Sequence, residues 1–385
     1  MELHHLTRCS FPKSRVYLVT GPKCHERTSM GRGVTHISAR NMICIALHGV
    51  WFSGVGKHVR RRDFISVLGG AVAWPASGHA QQPALPVIGY LSSRSPTDSA
   101  HIVAAFRQGL NEAGFVDKQN VVIEFRFAEG NFDRLPALAA DLVLRQVNVL
   151  VATGGTVSVI KAKPVVPATI PVVFAMGGDP VKLGVVASLN RPGGNITGVS
   201  FLVNGLAAKS VELLHELVPK AEVIGCLTNP KDPNAPSDTR EAQVAADALG
   251  QKLVVAKAST ESEIESAFTT FVQQQVTALF VDTDPFFTDQ RAKIVALAAR
   301  HALPAVYQLR EFADAGGLLT YGTSITDANR QLGVYTGRVL KGTKPADLPV
   351  EQSTRFELII NLKAAKALGL EVPWMLLAHA DEVIE

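Results

Sequence analysis

From Val87 to Tyr321 short apolar runs alternate with amphipathic segments, and no other feature restricts the fold of this chain as strongly. Val87–Leu91, Val121–Phe127, Val147–Ala152, Pro171–Ala175 and Ile196–Phe201 are rich in β-branched and aromatic residues. Runs of this kind, ending in Ser, Thr or Gly, are expected of strands buried on both faces of a parallel sheet. Between them lie helix-spaced stripes such as Ile102, Val103, Phe106 and Leu110, closed by Gly114, and Leu135, Leu138 and Leu142. The pattern then starts again. A helix over Leu206–Val218 leads to strands at Val223–Leu227, Leu253–Ala256, Ala278–Val281, Ala305–Gln308 and Leu318–Tyr321. Thr260 and Glu263 form a capping box before another helix. Repeated strand–helix–strand units imply parallel strands joined by right-handed crossovers. The expected fold class is therefore α/β, with two doubly wound parallel-sheet lobes joined by hinge segments. Lobe 1 is expected over 86–199 and lobe 2 over 200–320, with 321–385 returning to complete both. The hinges are expected near Gly198–Ser200 and Thr320–Ser324.

In open parallel sheets small molecules bind beyond the carboxyl ends of the strands, where helix N-termini offer free N–H groups. Those ends here carry Ser92-Ser93, Gly154-Gly155-Thr156, Gly178-Asp179, Thr228-Asn229 and the pair Asp282 and Asp284. Glycines admit close backbone approach, hydroxyls donate to a carboxylate, and Asp receives an ammonium. The set suits a ligand that bears both groups.

Upstream, Val59–Gln82 reads VRRRDFISVLGGAVAWPASGHAQQ. A basic start, an apolar run too short to span a membrane and small residues before Gln81 make it an export signal, twin-arginine-like at Arg61-Arg62, with cleavage expected near Ala80. Residues 1–58 precede a signal that belongs at an amino terminus. They are read as a mis-assigned, disordered extension, with Val59 as the true start. Residues 1–62 hold 11 Lys and Arg against 2 Asp and Glu, whereas the remainder holds 27 against 32. The basic balance thus belongs to the leader, and no nucleic-acid partner is implied. Cys226 stands alone downstream, so the folded part must rely on its core rather than on disulfides. The His and Cys residues of the first 58 match no zinc spacing, and Gly54–His58 lacks the upstream Gly and the Ser or Thr of a phosphate loop. No metal or cofactor is expected. With no Cys at the cleavage point and no long apolar run, neither is a membrane anchor.

Several stretches taken together carry a resemblance. They are RRRDFISVLGGAVAWP, VIGYLSSRSP, FRQGLNEAGFVDKQNVVIEFRFAEGNFDRLPALAADLV, VATGGT, GGDPVKLGVVASLNRPGGNITGVSF, TDPFFTDQR and FELIINLKAAKALGL, which fall along residues 60–385. In these the chain resembles ABC-transporter substrate-binding proteins of the tryptophan/tyrosine type. The resemblance implies a two-lobed periplasmic-binding fold, monomeric and periplasmic, that closes on a small ligand and delivers it to an ABC permease served by an ATPase. An aromatic amino acid or related carboxylate is the leading ligand. It implies that Ser93, Thr156 and the Gly154-Gly155 backbone meet the carboxylate and that Asp179 meets the ammonium or caps a helix. Asn229, Asn234 and Asp284 would face the cleft from the second lobe, and Phe201, Phe286, Tyr307 and Tyr321 would sandwich a ring.

Two other classes remain compatible with such a fold. A sensor would present its ligand to a membrane receptor kinase. An exported hydrolase needs a nucleophile with a base; the sequence has no G-x-S-x-G elbow, and His101, His215, His301 and His379 lie on helix-like segments with no Ser or Cys partner in view.

Overall fold

The computed structural model describes residues 84–201, 206–353 and 355–385. The expectations for the extension 1–58 and for the export segment 59–80 lie outside the described residues. Within them the chain forms two sheets, one wholly parallel and one mostly parallel, with helices joining successive strands.

The first sheet contains β1 (Val87–Ser92), β2 (Val122–Phe127), β3 (Val149–Thr153), β4 (Val172–Met176), β5 (Ile196–Ser200) and the short β11 (Glu351–Gln352). Their order is β11-β5-β4-β3-β1-β2, and every pairing is parallel. β3, β4 and β5 are buried along their whole length. That is the arrangement their unbroken apolar runs predict.

The second sheet contains β6 (Val223–Thr228), β7 (Lys252–Lys257), β8 (Ala278–Val281), β9 (Ala305–Tyr307), β10 (Leu319–Thr323), β12 (Phe356–Asn361) and β13 (Glu382–Ile384). Their order is β13-β12-β10-β9-β8-β6-β7. Two strands depart from the expected parallel pattern: β12 runs antiparallel to β10, and β13 runs parallel to β12. The cause is connectivity. β11 ends at the cleft side of the first sheet, and the few residues between Gln352 and Phe356 are too few for a crossover. The chain therefore enters the second sheet from its cleft edge and must run the opposite way.

The segment after Tyr321 completes both lobes in turn. The helix Ile325–Leu340 leaves the second sheet and packs on Ala100–Glu112 of the first lobe. Glycines set that contact: a β-carbon at Gly109 would overlap the Arg330 carbonyl, and one at Gly333 would overlap the Phe106 carbonyl. Close approach lets Phe106, Leu110 and Leu332 bury fully, each side chain contributing about 1.5–3 kcal/mol. The chain passes between the lobes three times, after Ser200, after Thr323 and after Gln352. The first two match the hinges read from sequence; the third, at Gln352–Phe356, went unread because a two-residue strand leaves no periodic signal. No described helix is long and apolar enough to cross a membrane.

Candidate functional site

The carboxyl ends of β1, β3, β4, β6, β8 and β9 face one cleft, and the loops that follow them line a cavity with about 40 Å³ of room for water centres. From the first lobe it is lined by Arg94 after β1, by Thr153, Gly154, Gly155 and Thr156 at the end of β3, and by Gly177 after β4. From the second lobe come Asp232 and Asn234 after β6, Thr283, Asp284 and Pro285 after β8, and Leu309 after β9. Ile102, Phe201, Thr288, Ile325 and Asn329 add the remaining wall.

The β3 turn shows how local sequence builds this surface. Gly154 and Gly155 have φ of 82° and 131°, a region that L side chains rarely adopt. The turn they make brings the Gly154 carbonyl to the Ser93 hydroxyl, which donates to it at 2.6 Å. Thr156 then opens the next helix, and its hydroxyl accepts from the Gly178 amide at 2.9 Å, tying the β3 and β4 loops together. Thr153 donates to Asn329 at 3.0 Å and so anchors the returning helix at the cavity.

Arg94 is buried and reaches across the cleft, where its Nη1 donates to Glu311 Oε1 at 3.1 Å. Asp289 Oδ1 stands 3.9 Å from Arg94 Nε, too far for a hydrogen bond. Arg94 Nε and Nη2 are left without a hydrogen-bond partner. On the facing lobe Asp284 is also buried; its Oδ1 accepts from the Phe287 amide at 3.0 Å and caps a short helix, while its Oδ2 has no partner. Burial, then the neighbouring charges of Asp232 and Asp282, push the Asp284 carboxyl well above the usual range, against a hydrogen bond from Asn229. Burial also raises Asp232 to about 6, although Asn234 donates to it through both its amide and side chain.

Six of the residues expected from sequence line this cavity: Gly154, Gly155, Thr156, Phe201, Asn234 and Asp284. The others lie elsewhere. Ser93 and Asn229 are not among the lining residues: Ser93 donates to the Gly154 carbonyl, and Asn229 Oδ1 accepts from the Lys231 amide. Asp179 caps its own turn, accepting from Val181 and Lys182 amides, and pairs with Lys182. The expected ring sandwich does not form at the cavity. Tyr307 is buried in the second-lobe core, stacked on Phe312 at 4.5 Å. Tyr321 stacks on Phe356 beside a separate groove with Lys209 and His379. Phe286 packs on Phe287 and reaches toward Gly130 of the first lobe. Sequence reasoning missed Arg94, Thr153, Asp232, Leu309 and Asn329. Arg94 and Asp232 were within reach, since each sits in a strand-end loop that already supplied a candidate.

The profile of ABC transporter substrate-binding proteins matches residues 95–384. The chain belongs to that family. The tyrosine-binding protein of Clostridioides difficile (strain R20291) is 27% identical over 268 residues, which cover 69% of this chain and 76% of that relative. The ABC domain from Streptococcus pneumonia in complex with L-Trp superposes with a TM-score of 0.71 at 28% identity, over 78% of this chain and 100% of that one. The ligand-free, open structure of a Clostridium difficile substrate-binding protein with adhesive properties has the same fold, with a TM-score of 0.56 at 24% identity over 78% and 99% of the two chains. Within this family the chain is an ABC-transporter-type substrate-binding protein, and its cavity lies between the lobes.

Proposed function

We propose that this protein is the extracytoplasmic solute-binding component of an ABC importer, closing on an amino acid with an aromatic side chain and delivering it to a permease driven by an ATPase. One observation carries the reading. A guanidinium donor, Arg94 Nη2, and a carboxyl acceptor, Asp284 Oδ2, approach one cavity from opposite lobes, both buried and both without a partner. Buried groups of this kind cost about 1–3 kcal/mol each when unpaired, and more when charged. An α-amino acid satisfies both ends, its carboxylate on Arg94 and its ammonium on Asp284. Its side chain then meets Phe201, Ile102, Ile325 and Leu309, an apolar wall suited to a ring. The names of two relatives, one binding tyrosine and one complexed with L-Trp, support the aromatic choice.

Because the ligand bridges the lobes, it favours the closed arrangement over an open one. Delivery is the reverse: a permease that separates the lobes breaks one of the two end contacts. The basic and apolar segment 59–80 supports export, with the mature chain beginning at Gln81.

Thermal denaturation against a panel of L-amino acids tests the reading. L-Tryptophan or L-tyrosine at 100 times Kd should stabilise the fold by about 2.7 kcal/mol, with one ligand per chain recovered chemically unchanged. Absence of any shift across the panel, or consumption of the amino acid in proportion to protein, would overturn it.

A further inference from the structure

Beside the cavity, charged side chains of alternating sign face each other from the two lobes. The first lobe presents Arg94 and Asp98 in the loop after β1, and His101 in the first turn of the helix Ala100–Glu112. The second presents Asp289 and Arg291, where one helix ends and the next begins, and Glu311 in the first turn of the helix Arg310–Asp314. Each sign meets its opposite. Arg94 Nη1 donates to Glu311 Oε1 at 3.1 Å, and His101 Nε2 stands 3.2 Å from the same oxygen. Arg291 Nη1 donates to Asp98 Oδ1 at 2.8 Å, while Asp98 Oδ2 accepts from the Ser95 hydroxyl at 2.7 Å. Arg291 Nη1 also donates to the Thr288 carbonyl at 2.8 Å, which fixes the guanidinium to its own lobe.

Ion pairs in open solvent contribute little. The pair Lys231 to Asp133, which also crosses the cleft, is of that kind: 3.7 Å long, with both side chains more than half exposed. The row from Arg94 to Arg291 differs. Its bonds are short, Arg94 and Glu311 are 4% and 12% exposed, and salt screens such pairs only in part. Burial, which raises a carboxyl, is outweighed at Glu311 by the His101 bond and the Arg94 charge, which hold it at about 2. The partners lie 193 to 217 residues apart in sequence, and every pair runs from one lobe to the other. Hydrogen bonds near 3 Å are gone by about 3.6 Å, so a small parting of the lobes breaks the row. Asp98, Arg291 and Glu311 do not line the cavity, whereas Arg94 does, with Nε and Nη2 free. Glu311 therefore fixes, from the opposite lobe, the guanidinium offered to the ligand.

We propose that Asp98 with Arg291 and Arg94 with Glu311 form a clasp that makes and breaks as the lobes close and open, Glu311 being the positioning residue for Arg94. The inference rests on the amino-acid reading above. Ligand enters the open form, before the clasp exists, so the clasp slows release and leaves association almost unchanged. Its pairs are ionic, so added salt shortens the residence of the ligand and lowers the closed fraction of the empty protein.

Two measurements on the mature chain test this. Association and chase kinetics with radiolabelled L-tryptophan and L-tyrosine give the rates. Electron–electron resonance between spin labels on Leu144→Cys and Val272→Cys, exposed positions in opposite lobes, gives closure without ligand; Cys226 is buried. Asp98→Asn and Glu311→Gln should each speed release about three- to tenfold, with association changed less than about twofold, and Lys231→Ala should change neither. Exchanging the partners, Asp98→Arg with Arg291→Asp, should restore slow release that either substitution alone destroys. Salt raised from about 0.05 to about 0.5 M should speed release from wild type more than from the neutral variants. Release as slow as wild type in both neutral variants, or slower association in place of faster release, overturns the proposal. Failure of both amino acids to bind would overturn the amino-acid reading instead, and the resonance measurement would still decide the clasp. There the closed fraction of wild type must fall with salt and with Asp98→Asn; a distance distribution that neither moves overturns it.

Discussion

Gly155 of the first lobe and Pro285 of the second meet across the cleft so closely that a β-carbon on Gly155 would lie 2.5 Å from Pro285 Cγ. The contact is formed only when the lobes come together, and it joins two residues that both line the ligand cavity. Closure in this protein therefore depends on a missing side chain as well as on attractive contacts such as Arg94 to Glu311.

Gly155→Ala should consequently hold the lobes apart. Its φ of 131° strains any L residue in either form and lowers overall stability by about 1–3 kcal/mol, whereas the collision with Pro285 penalises the closed form alone. Small-angle scattering with saturating L-tryptophan should show compaction in wild type and little in the variant. Equal compaction in both would mean that Pro285 yields and that Gly155 matters only for its turn.

Asp284 has two roles that substitution can separate. Asn at an N-cap accepts from the helix amide nearly as well as Asp, so Asp284→Asn should keep the contact to Phe287 and the melting temperature. It loses the carboxylate, and amino-acid affinity should drop by about 1.5–3 kcal/mol, the worth of a charge-assisted hydrogen bond. Asp284→Ala should lose the same affinity plus about 1 kcal/mol of stability from the cap. Titration calorimetry beside thermal melts distinguishes them; an Asn variant that binds like wild type would reduce Asp284 to a helix cap.

Arg94→Leu removes the guanidinium from the opposite end. The expected loss is again about 1.5–3 kcal/mol for a ligand with a carboxylate, and little for the corresponding amine that lacks one, such as tryptamine. A uniform loss for both would show that Arg94 acts through its cross-lobe bond to Glu311 rather than on the ligand.

The lobes were legible in the sequence because strand and helix periodicities survive wherever an element is long and buried on defined faces. β3 and β4 are examples, buried at every position and apolar throughout except at Thr153, which ends β3. The β3 loop was legible for the same reason, since two glycines and a threonine directly after a buried strand can only begin the next helix at the sheet's carboxyl edge. Aromatic side chains were not. Which way Tyr307 points depends on the register of a three-residue strand, and a shift of one residue exchanges the core face for the cavity face. Arg94 was passed over because an arginine beyond a strand end reads as solvated; its acid partners, Glu311 and Asp289, lie more than 190 residues away in sequence and meet it only through the fold. Asp232 was hidden similarly, in a loop whose Asn and Pro content reads as an ordinary turn.

Asp289 gives the last prediction, on pH. It ends the short helix that Asp284 begins and sits against Arg94, with its Oδ1 unpartnered. Burial first, and then the charge of Asp98, raise its carboxyl to about 7, more than Arg94, the Ser95 amide and Arg291 lower it. A carboxyl raised on folding contributes stability that is full below its unfolded titration near 4 and is lost as pH climbs through the folded value. For Asp289 the loss runs from about pH 4 to about pH 7, and its charged form is then a burden on the closed lobes. Asp289→Asn keeps a side-chain oxygen for the Ser95 amide and cannot ionise. The variant should melt near wild type at about pH 4 and above it at about pH 8, by up to a few kcal/mol of stability. Thermal melts of both proteins across that range provide the comparison. A difference of the same size at both ends, or a variant weaker than wild type at the alkaline end, would mean that Asp289 is charged and paired with Arg94 throughout.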